Sequence, residues 1–127
     1  MKRLVPVLGL AALALILVAC SGASGNGGPA KSAAPDALQI SAKDLKFSTS
    51  TLTAPAAKAF QIVFDNQESA PHNVAIYKDA SAAEKVLVEE PFSGPAVVVY
   101  EVPALGSGTY FFRCDVHPDM SGSLTVG

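Results

Sequence analysis

Thr109-Tyr110-Phe111-Phe112-Arg113-Cys114-Asp115-Val116-His117-Pro118-Asp119-Met120-Ser121-Gly122 runs from a strand-like segment into a loop dense in soft-metal donors. Its first half alternates, with Tyr110, Phe112 and Cys114 on one face of an extended chain and Phe111, Arg113 and Asp115 on the other. An arginine belongs on the solvent side, so Cys114 should point inward, where a strand ends and the core opens into a loop. His117 and Met120 lie on that loop, and Pro118 stiffens the turn between them.

Working outward, the chain has 127 residues with only two cysteines, two histidines and two methionines. The start accounts for one of each sulfur residue. Met1-Lys2-Arg3 is positive, Leu4 to Val18 is apolar, and Leu17-Val18-Ala19-Cys20 closes the run with small residues before a cysteine, the pattern of a bacterial lipoprotein signal. The run is short for a membrane span and contains Pro6, so residues 1–19 are predicted to be removed and Cys20 to carry the lipid. Several acyl chains on Cys20 anchor stably where one would bind marginally. Such a protein is exported and held on the outer face of the cell membrane or in the periplasm. Residues 20–37 are mostly Ser, Gly, Ala, Asn and Pro, a composition that cannot build a core and predicts a flexible tether spanning about 20 Å.

Residues 38–127 are one domain by length. Without Lys2 and Arg3 the chain has 9 − 2 = 7 basic and 11 acidic residues, a net charge of −4, which argues against nucleic acid as a partner. Short apolar runs separated by turn residues fill the domain: Leu38 to Ala42, Ala59 to Asn66, Val74 to Tyr77, Val86 to Glu89, Ala96 to Val102, Thr109 to Cys114 and Ser123 to Val126. Ala54-Pro55, Ser93-Gly94-Pro95, Gly106-Ser107-Gly108 and Ser121-Gly122 mark turns, and Ala80 to Val86 reads equally as a helical turn or a loop. Seven or eight strands at this spacing predict an all-β antiparallel sandwich.

His72, Cys114, His117 and Met120 then make one complete ligand set with none to spare. A thiolate with two imidazoles forms a strong trigonal site, and a thioether as a weak axial fourth ligand favours copper, stable there as Cu(I) and Cu(II). Zinc gains little from a thioether. With Cys20 lipidated, Cys114 has no partner for an internal disulfide, and an exported free thiol invites oxidation unless something occupies it.

Pro71-His72-Asn73, a long interval of strands, and Cys114-x-x-His117-x-x-Met120 followed by Gly122 and a last apolar strand resemble the small blue copper proteins, the cupredoxins. The loop spacing is similar to that of the amicyanin branch and two residues shorter than the plastocyanin loop. The resemblance covers about Leu38 to Gly127 and implies a Greek-key sandwich binding one type 1 copper through those four residues. By position, it also implies that Asn73 bonds the cysteine sulfur through its backbone N–H and ties the two ligand loops through its side chain. His117 would be the electron port, with Pro71, Pro118 and Phe92 as candidates for the apolar rim. Two positions depart from the pattern: Arg113 stands where plastocyanins have a tyrosine, and Val116 where both branches have a proline. Val116 keeps its N–H, which could donate to the Cys114 sulfur.

Together these features predict a monomeric, membrane-tethered one-electron carrier that converts no substrate itself. Its partners would be redox proteins: a c-type cytochrome, a terminal oxidase or a copper enzyme. Copper trafficking, storage or sensing is the alternative use of the same ligands. A thiol hydrolase built on Cys114 and a histidine fits less well, because no oxyanion-hole glycine motif accompanies the pair and Met120 has no task in it.

Overall fold

The computed structural model describes residues 31–127. The predicted signal, the Cys20 lipid site and most of the tether lie outside these described residues. In chain order the strands are β1 (Leu38–Lys43), β2 (Lys46–Phe47), β3 (Thr51–Ala54), β4 (Phe60–Asn66), β5 (Pro71–His72) and β6 (Ala75–Tyr77). They continue as β7 (Lys85–Leu87), β8 (Phe92–Ser93), β9 (Ala96–Val102), β10 (Gly108–Arg113) and β11 (Ser121–Val126). All regular structure among the described residues is strand, as the alternating sequence requires. Two sheets, ordered β2-β1-β4-β9 and β3-β11-β10-β6-β7, face each other, and β5 pairs with β8 at one end.

Alternation sets the facing surfaces. Phe60, Ile62, Phe64 and Asn66 of β4 are buried, as are Tyr110 and Phe112 of β10, Leu124 and Val126 of β11, and Ile40 and Ala42 of β1. Burying a side chain of the size of Phe64 or Phe112 stabilises by roughly 1.5–3 kcal/mol. Phe64 packs against Phe47 at 6.1 Å and Phe92 at 5.5 Å between ring centroids, and Phe47 against Phe112 at 5.7 Å. Each such aromatic contact adds about 0.5–1.5 kcal/mol.

The expected strands are present, with ends shifted by one or two residues, and Lys78 to Glu84 forms a turn rather than a helix. Two features differ from expectation. The sheets are mixed: β1 runs parallel to β4 and β3 parallel to β11, because the first strands of the chain cross from one sheet to the other. The short β2, β3, β5 and β8 are additional strands without an apolar run of their own: β2 and β3 pair with the longer β1 and β11, and β5 and β8 pair with each other.

The registers give the sandwich two distinct ends. Ala42, Asn66, Ala96, Arg113 and Ser121 stand at one end, and Leu38, Phe60, Val102, Gly108 and Val126 at the other. The chain enters at the second end, where the Ala34 N–H donates to Gln61 Oε1 and Lys58 pairs with Asp36 at 3.2 Å. His72 and the Cys114–Met120 loop occupy the first.

Candidate metal centre

Two loops at one end of the sandwich bring the donors together. β10 ends at Arg113, so Cys114 sits one residue past the strand with the inward orientation its alternation predicts, and it is fully buried. The loop then folds back on itself: the Cys114 N–H donates to the Met120 carbonyl at 2.8 Å, and the Met120 N–H to the His117 carbonyl at 2.9 Å. These bonds set the loop length. Gly122 follows because a side chain there would collide with the Ser50 carbonyl and the Phe112 ring. His72 comes from β5, is fully buried, and faces the loop from across the sandwich.

Cys114 Sγ lies 3.6 Å from His72 Nδ1 and 3.8 Å from His117 Nδ1, and the two Nδ1 atoms are 3.2 Å apart. The circle through these three atoms has a radius of about 2 Å, so one point lies about 2 Å from every donor, within the range of metal–imidazole and metal–thiolate bonds. The trio therefore fits a single ion without rearrangement. Its donor set, one thiolate and two imidazoles with the buried Met120 packed in the same core cluster, is the set that suits copper.

The surrounding bonds orient these ligands. His72 Nε2–H donates to Glu68 Oε1 at 2.7 Å, which leaves Nδ1 with its lone pair directed at the other donors. Glu68 is itself fixed by the N–H groups of Leu45 (3.0 Å) and Asp44 (3.1 Å). The Leu45 bond is the largest influence on the Glu68 carboxyl and, with the His72 and Asp44 bonds, holds it below the usual range. Asp44 and Leu45 both have positive φ, 52° and 55°, so this carboxylate steadies a turn that non-glycine residues adopt reluctantly. Asn66, fully buried, spans the same loop: its Nδ2 donates to the Ala70 and Phe92 carbonyls and its Oδ1 accepts from the Glu68 N–H.

Asn73 ties the two ligand loops together. Its Oδ1 accepts the Asp115 N–H at 2.9 Å, while its Nδ2 donates to the Glu89 carbonyl at 2.8 Å and to Asp115 Oδ2 at 3.3 Å. Asp115 Oδ1 also accepts the Tyr77 hydroxyl at 2.6 Å and Arg113 Nε–H at 3.0 Å. Burial alone would raise the Asp115 carboxyl, but these bonds outweigh it and hold the group below the usual carboxylate range. Among the described residues, the polar partners of the Cys114 sulfur are the two imidazole Nδ1 atoms, and no N–H of Asn73 or Val116 bonds to it. Val116 is instead 43% exposed. Pro71 and Pro118 are exposed, Phe92 and His117 half-buried, and Leu45, also exposed, shares a cleft with Met120.

A family of cupredoxin-like domains matches residues 9–126. The chain belongs to the cupredoxin-like family. No curated protein matches its sequence. Solved cupredoxin structures share the fold. Auracyanin from Roseiflexus castenholzii superposes with a TM-score of 0.65 at 18% identity, covering 76% of this chain and 99% of that one. Auracyanin A from Chloroflexus aurantiacus, described as a blue copper protein, gives 0.62 at 21% identity, with 72% and 98% covered. Amicyanin from Paracoccus versutus gives 0.50 at 26% identity, with 74% and 84% covered.

Glu68, Asn66, Asp115 and Leu45 are the site residues that sequence reading passed over. Glu68 stands four residues before a candidate ligand, His72, a spacing that in a loop carries no structural meaning until the fold is known.

Proposed function

We propose that this cupredoxin carries electrons one at a time through a single copper ion bound by His72, Cys114, His117 and Met120, and converts no substrate itself. The observation that carries this reading is the triangle of Cys114 Sγ, His72 Nδ1 and His117 Nδ1, 3.2 to 3.8 Å on a side, with Cys114 and His72 fully buried. Bound copper supplies the Cu(I)/Cu(II) couple. Cys114 and the His72 ring are held by bonds that do not involve the metal, and the His117 backbone by the Met120 N–H, so little needs to move when the charge of the ion changes. Core packing around Cys114 and His72 excludes water, and the half-buried His117 ring offers the route to a docked partner.

The domain responsible is residues 38–127, joined by residues 20–37 to a lipid on Cys20 after removal of residues 1–19. Among the described residues no helix is long and apolar enough to cross a membrane. Anchoring would raise the local concentration of the carrier near membrane-associated redox proteins such as a c-type cytochrome, a terminal oxidase or a copper enzyme.

The visible spectrum of copper-loaded protein tests the site. We expect an intense thiolate-to-copper band that bleaches on reduction and is lost in Cys114→Ser; a colourless copper complex would sink the proposal. Retention of Cu(I) against a competing chelator through repeated redox cycles separates electron carriage from copper trafficking. The complete burial of Cys114 and His72 supports retention.

A further inference from the structure

Asp115 places a carboxylate one residue beyond the thiolate ligand, and that carboxylate is only 24% exposed. The bond that links the ligand loops, from the Asp115 N–H to Asn73 Oδ1, needs no negative charge, since the backbone makes it. The charge nevertheless has dedicated partners. Tyr77, at the end of β6, gives its hydroxyl to Oδ1 at 2.6 Å. Arg113, at the end of β10, gives Nε–H to the same oxygen at 3.0 Å and lies over the Tyr77 ring at 5.0 Å. Tyr77 is itself 3% exposed and the Arg113 side chain 29%, so the carboxylate is capped by one dry partner and one partly solvated one.

We propose that Asp115, Arg113 and Tyr77 form a charge-setting clamp beside the Cys114 ligand, in which the Asp115 carboxylate lowers the copper reduction potential and Arg113 and Tyr77 restrain that effect. The inference rests on the copper site proposed above. The sign follows from electrostatics: a nearby negative charge favours the more positive, oxidised ion, and partial desolvation limits the screening of that interaction. The guanidinium opposes it directly, and the Tyr77 hydroxyl draws charge onto its hydrogen bond. Arg113 and Tyr77 act through Asp115 and are positioning residues.

Potentiometry of the copper-loaded full chain tests the clamp. Asp115→Asn should shift the Cu(II)/Cu(I) ratio in a fixed redox buffer toward Cu(I), on the order of tenfold. Arg113→Met and Tyr77→Phe should each shift it toward Cu(II), and Arg113→Lys should recover most of the loss. In the Asp115→Asn background, Tyr77→Phe should shift almost nothing. Thermal unfolding of the metal-free protein gives an independent readout: Tyr77→Phe and Asp115→Asn should be less than additive. If Asp115→Asn does not fold, Arg113→Met and Tyr77→Phe, which leave the Asn73–Asp115 link in place, still carry the test. Potentials that stay fixed, or that all move in one direction, in variants keeping the thiolate band overturn the inference. Absence of that band in the parent protein would sink the copper reading instead.

Discussion

Glu68 joins a candidate metal ligand to a strained turn: one carboxylate accepts from His72 Nε2 and from the N–H groups of Asp44 and Leu45. Removing it frees the imidazole to rotate and leaves two positive-φ residues without their support. Glu68→Ala should therefore weaken copper binding about 10–100-fold in a competition titration, with a lower melting temperature in the metal-free form. The Tyr100 hydroxyl presents the opposite case: it is buried with no hydrogen bond of good geometry among the described residues, and burial, opposed by the nearby Val74 backbone, pushes its ionisation upward. Tyr100→Phe removes that unsatisfied group, so it should stabilise by about 1 kcal/mol in chemical denaturation. The four candidate ligands were legible in the sequence because such residue types are scarce in this chain and three share one loop. Glu68 and Asp115 were not, since acidic residues in loops are ordinarily solvated and only the fold reveals what they face.

Among the elements, the strands built on apolar runs were legible, and β2, β3, β5 and β8 were not. β4 and β10 announce themselves by alternation and β9 by its apolar run, whereas β3, Thr51–Ala54, lies among Ser and Thr residues and before Pro55, where turn signals dominate. Its parallel pairing with β11 depends on the chain crossing between sheets, a long-range event that no local pattern encodes. Gly122, the second residue of β11, stands where no side chain fits. Gly122→Ala would drive a methyl group into the Ser50 carbonyl and the Phe112 ring, so we expect a loss of about 2 kcal/mol or more by thermal unfolding, with a broadened copper spectrum. At the other ligand loop, Asn66→Ala strips three hydrogen bonds from a fully buried position. It should cost about 2–3 kcal/mol and displace His72.

For the whole molecule, four carboxyl groups (Asp36, Glu68, Asp79 and Asp115) are held below their ordinary range by hydrogen bonds and neighbouring cations. The folded state thus keeps them ionised to lower pH than the unfolded chain does. Their stabilisation is present above about pH 4 and is lost as pH falls through the depressed values. Melting temperatures of the metal-free protein should hold steady from pH 7 to about 5 and drop below about 4; a melting temperature that rises on acidification would contradict this. The two-ended build has a further consequence. Ala34 to Leu38 enter at the end remote from His117, and the seven residues of β4 separate the two ends by about 20 Å. A molecule grafted to an electrode at Ala34, where the chain meets the sandwich, would stand with its His117 end away from the surface, so copper held there should exchange electrons slowly with the conductor beneath and freely with mediators above.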